Sequence, residues 1–276
     1  MAEALLHDAA HRPTTPIPRG APLLARLQGV IVPGLLVALW EGVVRAGWIA
    51  PHLLPPPSEL VSTVSDLLQS GDIFTHIGVS SLRVGVGFGI GAFLALGVGA
   101  LVGLSRRAEA LLDPTFQAIR AIPSLAWVPL LLLWLGIDEA PKITLIAIGA
   151  FFPVYLNFTA GIQNVDRKLV EVGHIYGLTG WRLVQRIFIP AALPNLFTGL
   201  RSGLSLAWMF LVAAELIAAS KGLGYLLNDG RETGRADLVI VAIIVLALLG
   251  KLSDSLLRGL EHRLLRWRDT FNTRQA

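Results

Sequence analysis

Glu41, Arg120, Arg201 and Glu215 stand inside or at the edge of otherwise apolar stretches, which makes them the first candidates for chemistry in this chain. An ionised side chain in hydrocarbon costs several kcal/mol unless it is paired or hydrated, so it marks a pathway, a gate or a structural ion pair. Glu41 has Arg45 one helical turn away, which is a sufficient structural reason for it. Arg201 and Glu215 share one apolar run but lie 14 residues apart, about 21 Å along a helix, too far to neutralise each other. Arg201 could stabilise a small anion, or anchor its helix at the cytoplasmic face. Glu215 would repel an anion, and is expected to pair with an arginine of another helix and hold a gate. Arg120 has the same two readings as Arg201. Pro123 and Pro129 interrupt the same apolar run, and Pro153 another. Each removes a backbone donor and either kinks a helix beside a pathway or serves packing. The candidate path or gate residues are thus Arg120, Pro123, Arg201 and Glu215.

A second constellation occupies residues 163–194. Asp166 is a good N-cap for a short helix carrying Leu169, Val172, Ile175 and Tyr176, and Gly177 stops it. Thr179 can cap a second helix through Trp181, Leu183, Val184 and Ile187 that ends near Pro190. Two short helices hinged at a glycine form a knob, and its exposed apolar side chains need a protein partner.

Other chemistries lack their residues. No Gly-x4-Gly-Lys-Ser/Thr phosphate loop occurs, so the chain is expected to hydrolyse no ATP by itself. Its only Gly-Lys pair, Gly250-Lys251, is followed by Leu252. His52, His76, His174 and His262 have no ligand spacing, and cysteine is absent, so neither a metal nor a cofactor is expected. No apolar stretch carries a nucleophile–base pair, which disfavours a membrane-embedded enzyme.

The elements that must position these residues are membrane helices. Of 276 residues, 54% are hydrophobic and 15% charged, with mean hydropathy +0.64; soluble domains carry about 25% charged residues. A span needs roughly 20 apolar residues. The runs 28–47, 83–104, 118–137, 142–162, 195–219 and 237–257 satisfy this, so the chain is expected to be all-α with six spans. The short link 137–141 implies an antiparallel hairpin of the third and fourth. With the N-terminus inside, 17 of the 23 lysines and arginines fall on the cytoplasmic side, which places both termini there and explains the basic charge without nucleic acid. An N-terminal tail at 1–27, without the apolar core of a signal peptide, precedes the membrane domain 28–257, and a C-terminal tail follows at 258–276. Outside, Ser58 is a plausible N-cap for an interfacial helix near 59–68. In the second run small residues recur every fourth position at Gly87, Gly91, Ala95, Gly99 and Gly103, a spacing that lets helices approach closely.

Glu171-Val-Gly-His-Ile-Tyr-Gly177, nine residues, then Ile187-Phe-Ile-Pro190 is similar to the EAA loop of binding-protein-dependent ABC permeases. Both spacings of that loop are met, whereas Val172 and Gly173 replace its alanines and Ile189 its leucine. Gly173 is expected to loosen the first helix by about 1 kcal/mol relative to alanine. The resemblance extends over residues 28–268. Leu53-Leu-Pro-Pro-Pro-Ser-Glu59, Arg120-Ala-Ile-Pro123, Leu135-Gly-Ile-Asp138, Gly149-Ala-Phe-Phe-Pro153, Gly199-Leu-Arg201, Ala213-Ala-Glu215 and Gly222-Leu-Gly-Tyr225 look like the nitrate/sulfonate/taurine branch. Val170–Leu178 and Ala247–Leu252 look closest to its aliphatic-sulfonate members.

The resemblance implies a type I ABC importer permease fold in the bacterial inner membrane. It implies a homodimer in membrane lipid, two ATP-binding-cassette subunits on the cytoplasmic face and an external solute-binding protein. ATP and magnesium would sit on the partner ATPase. By resemblance, Glu171, Gly173, Tyr176, Gly177, Leu178, Ile187 and Pro190 form the joint that couples the ATPase to the spans. The implied cargo is an aliphatic sulfonate, with taurine, nitrate or another small anion as alternatives; an ion-coupled secondary transporter is the rival from another class.

Overall fold

In the computed structural model the backbone is described for residues 23–267 and side chains for 31–267, so residues 1–22 and 268–276 of the expected tails lie outside the described residues. All regular elements among the described residues are helical. The described residues divide into two compact units, one up to Ser58 and one from Glu59 onward.

The first unit holds α1 (Leu23–Arg45), 23 residues or about 35 Å. Glu41 accepts Arg45 Nε at 2.5 Å and also the backbone N and Oγ of Ser58 at 3.1 and 2.8 Å. The expectation that Ser58 caps the next helix is therefore corrected. Helix α2 (Pro57–Ser70) starts two residues earlier than expected, at a proline whose missing N–H is no loss in a first turn, and both polar groups of Ser58 serve Glu41 instead.

The second unit is built on α3 (Asp72–Leu104), α4 (Arg106–Ala121), α5 (Val128–Leu135) and α6 (Glu139–Gln163). These are followed by α7 (Arg167–Ile175), α8 (Gly180–Leu183), α9 (Ile189–Ala218), α10 (Leu223–Glu232) and α11 (Ala236–Leu264). Four helices are long and apolar enough to cross a membrane: α3, α6, the continuous run Gly180–Ala218 and α11. A bent pair, Arg106–Ala121 with Ser124–Leu135, makes a fifth if counted as one span. Of the six expected spans, four are matched by these helices and a fifth by the bent pair, whereas the run 28–47 falls on α1, which is not among the helices that meet this test.

The third span departs most from expectation. Residues 118–137 are not one straight helix, because the two parts meet at 87°. Pro123 cannot donate an intrahelical bond, and it pushes Ile122 into extended backbone (φ −75°, ψ 123°). A 3-10 turn, Ser124–Trp127, follows, and Pro129 then occupies the first turn of α5, where proline is tolerated. The hairpin with α6 is consequently made by eight residues, Val128–Leu135.

Helix α6 is the middle of the unit: 61% of its apolar window is buried, against 33% for α3 and 22% for α11. It runs parallel to α3 and antiparallel to α9. The small-residue row of α3 faces it as the spacing predicts. A Cβ on Gly87 would come within 2.6 Å of Ile146 Cγ2, one on Gly91 would strike the Ala147 carbonyl, and Ala95 is fully buried. On the opposite side Gly203 of α9 lies against the Ala150 carbonyl, so small residues set both helix–helix distances.

Candidate functional site

Two regions at opposite ends of the second unit carry the polar residues of interest. At the end holding the first turns of α3 and α6, Arg83 joins three helices. Its Nη1 donates to Glu215 Oε1 of α9 at 2.7 Å and to the Lys221 carbonyl at 2.6 Å. Its Nε and Nη2 form a fork onto the Glu139 carboxylate of α6 at 2.6 and 2.5 Å. Glu215 is 1% exposed and also accepts Ser80 Oγ at 2.8 Å and Gly224 N at 2.7 Å, so each of its oxygens is satisfied. Ser80 Oγ in turn accepts Leu223 N at 2.8 Å. The segment Gly222-Leu-Gly-Tyr225 is thus a collar around one carboxylate. Gly222 has φ +123°, and a Cβ on Gly224 would sit 2.6 Å from Glu215 Cβ. Lys142, also 5% exposed, caps the link before α6 through the carbonyls of Ile137 and Asp138 and reaches Glu139 at 3.4 Å.

Sequence reasoning named Glu215 and its need for an arginine, but left Arg83, Glu139, Lys142 and Ser80 among the flanks. The expected span began at residue 83, whereas α3 begins at Asp72, which moves Arg83 into the helix interior. The signal present was Glu215 itself; nothing in the chain order selects Arg83 over the other cations of that side.

The knob lies at the other end. Asp166 caps α7, its carboxylate accepting Lys168 N at 2.9 Å. The helix closes with Gly177 N donating to His174 O and Leu178 N to Gly173 O, each 2.9 Å. This pair of bonds requires the left-handed φ of +73° at Gly177. Thr179 takes the expected cap position of α8, but its hydroxyl makes no cap bond. Gly173 is buried, and a Cβ there would lie 2.7 Å from Leu183 Cδ1 and 3.3 Å from Ile187 Cγ1. The expected loosening by Gly173 is therefore offset by close packing between the two arms. Glu171 is exposed and paired with Arg167 at 3.1 Å, a solvent-screened contact. Ile175, Tyr176 and Trp181 are 83%, 80% and 65% exposed and form an apolar face on the knob.

The second arm does not end near Pro190. A π-helical turn, Val184–Phe188, links α8 to α9, with Ile189 N donating to Val184 O five residues back. The widened turn accommodates the proline ring and its missing donor without a break. Residues Gly180–Ala218 therefore form one run of 39 residues, about 58 Å long. Trp181 of the knob and Glu215 of the buried cluster stand on the same rod.

The remaining path candidates are not brought together. Arg201 is bound to Asp254 of α11 at 2.8 Å and lies 3.7 Å from Glu261, so its charge is paired across two helices. Arg120 and Pro123 are exposed at the bend after α4. Among the described residues no group of acidic, histidine or cysteine side chains could hold a metal.

Residues 87–266 match the family described as binding-protein-dependent transport system inner membrane component. The chain belongs to this family. The transport component is 43% identical over 253 residues to SsuC of Escherichia coli, a permease protein assigned to the transport of aliphatic sulfonates, covering 92% of this chain and 96% of that one. A Bacillus subtilis protein of the same name and assignment is 42% identical over 245 residues, 89% of each chain. The taurine transport system permease protein TauC of Escherichia coli is 32% identical over 84% of this chain and 86% of its own. Among solved structures, an amino acid ABC transporter shares the fold, with TM-score 0.58 at 18% identity over 74% of this chain and 98% of that one. The protein is a multi-pass inner-membrane transport component with an all-α permease fold.

Proposed function

We propose that the chain is the permease subunit of an ATP-driven importer of aliphatic sulfonates. The observation that carries this reading is the continuous rod from Trp181 to Glu215, with an exposed apolar knob at one end and a buried ion-pair cluster at the other. A partner seated on Ile175, Tyr176 and Trp181 can move the spans as a lever, since the helix from Gly180 to Ala218 is unbroken. The partner is a pair of ATP-binding-cassette subunits, which supply the ATP, magnesium and phosphate loop that this chain's sequence lacks. Two copies of the chain enclose the pathway with the knob cytoplasmic. A solute-binding protein delivers cargo at the Arg83 end. Closure of the ATPase pair opens that end, and hydrolysis resets the inward-facing state.

The substrate follows from the two relatives assigned to aliphatic sulfonates at 42% and 43% identity, against 32% for the taurine protein. The test is uptake of labelled alkanesulfonate, taurine and nitrate by cells lacking their own importers. These cells express the chain with its binding protein, with and without the ATPase. Alkanesulfonate uptake that disappears without the ATPase is the expected result. Uptake indifferent to the ATPase overturns the lever, and ATPase-dependent uptake of taurine or nitrate alone overturns the substrate.

A further inference from the structure

The Glu139 carboxylate stands where a bound anion would stand. It is gripped by two cations that are each 5% exposed, Arg83 and Lys142, while its own side chain is 55% exposed. It forms, with Lys142, one wall of a cleft of about 460 Å³. We propose that Arg83 and Lys142 constitute an anion-binding site at the outer end of the pathway, occupied at rest by Glu139, whose carboxylate an entering alkanesulfonate displaces.

Geometry supports the exchange. The Nε and Nη2 fork of Arg83 points at Glu139, and two oxygens of a sulfonate can accept the same pair of donors. Nη1 stays tied to Glu215 and the Lys221 carbonyl, so the fork keeps its position when Glu139 leaves. Glu215 cannot leave, being held by Ser80 and Gly224 in a place without solvent.

Charge supports it as well. Two cations face two carboxylates, and withdrawal of Glu139 leaves one unpaired positive charge in a buried setting. Such a charge is strongly destabilising until another anion replaces the lost one. A monoanion restores the balance, whereas a neutral or cationic solute does not. Glu139 belongs to the first turn of α6 and already faces solvent, so its carboxylate can rotate out and hydrate. Asp138 on the same wall is exposed and makes no ion pair among the described residues, so water and salt screen it. Ile217, Ala218 and Ala219 complete the cleft with apolar surface suited to an alkyl tail.

The site rests on the reading of the chain as an importer of small organic anions, and its test needs neither ATPase nor uptake. The full chain is purified in detergent, and ethanesulfonate binding is measured by calorimetry, with ethylammonium as the control. Glu139→Gln removes the resident charge, and its Kd for ethanesulfonate is expected to fall roughly tenfold or more. The gain is expected to vanish when Lys142→Gln is added. A Kd within about twofold of the unsubstituted chain, a gain that survives Lys142→Gln, or an equal gain for ethylammonium overturns the site. A second measurement avoids the cluster. The chain has no cysteine, so Ser220→Cys on the cleft wall gives a single thiol. Saturating ethanesulfonate is expected to slow its labelling, and unchanged labelling counts against occupancy. Failure of uptake together with a Glu139→Gln gain for another small anion retains the site and removes the substrate. Successful uptake without any gain removes the site alone.

Discussion

Arg83 and Glu215 meet at 2.7 Å across 132 positions of sequence, and the side chain of Glu215 has no solvent exposure. The pair closes the gap between α3 and α9 on either side of α6. Removing one partner exposes its importance to the fold, since a lone buried charge has neither water nor counter-ion.

Glu215→Ala is expected to destabilise the chain by about 3–5 kcal/mol. Thermal unfolding of the purified protein in detergent measures this. Substituting both partners with apolar residues of similar volume, Arg83→Met with Glu215→Leu, should recover part of the loss. A single variant that melts with the unsubstituted protein would show that the pair contributes nothing.

Two glycines of one helix should behave oppositely. Gly91→Ala drives a Cβ into the Ala147 carbonyl, a backbone atom that can yield only if α3 and α6 separate. Gly97 has no neighbour within 4 Å, and alanine there gains helix propensity of up to about 1 kcal/mol. The melting temperature is expected to fall for Gly91→Ala and to hold or rise for Gly97→Ala. The same direction for both would contradict the packing described.

Gly177→Ala forces a side chain into the left-handed region, at φ +73°, where L-residues are disfavoured by roughly 1–2 kcal/mol. Asparagine tolerates that region better, so Gly177→Asn should lie between. Both variants should leave the membrane helices folded while lowering cargo-stimulated ATP hydrolysis in the assembled importer. Unchanged stimulation in Gly177→Ala would separate the turn from coupling.

Tyr176→Ala and Trp181→Ala remove exposed rings that contribute little to the isolated chain, so stability should change by no more than about 0.5 kcal/mol. Association with the ATPase subunits, followed by co-purification or by cross-linking from the knob, is expected to weaken. Full retention of the ATPase in the double variant would exclude this face as the docking surface.

The order of legibility depends on how far each feature reaches along the chain. Apolar runs, the four-residue repeat from Gly87 to Gly103 and the stop at Gly177 are written in neighbouring residues. Hydrophobic content, helical period and glycine's access to positive φ act over one or two turns, so sequence alone determined them. It also determined that Glu215 needed a cation, because an isolated carboxylate in an apolar run has no local remedy.

Tertiary structure decided the rest. Arg83 could be chosen only once α3 began at Asp72 and ran parallel to α6, since helix order and depth depend on packing rather than propensity. The bend at Pro123 and the unbroken passage through Pro190 show one residue type with two outcomes. At Pro123 the chain turns by 87°, whereas at Pro190 a π turn absorbs the missing donor and the rod continues. Gly173, which propensity marks as a weak point, is a contact surface, because the Leu183 and Ile187 side chains lie where its Cβ would be. Local sequence limits what a residue can do; the neighbour brought by the fold selects which of those things it does.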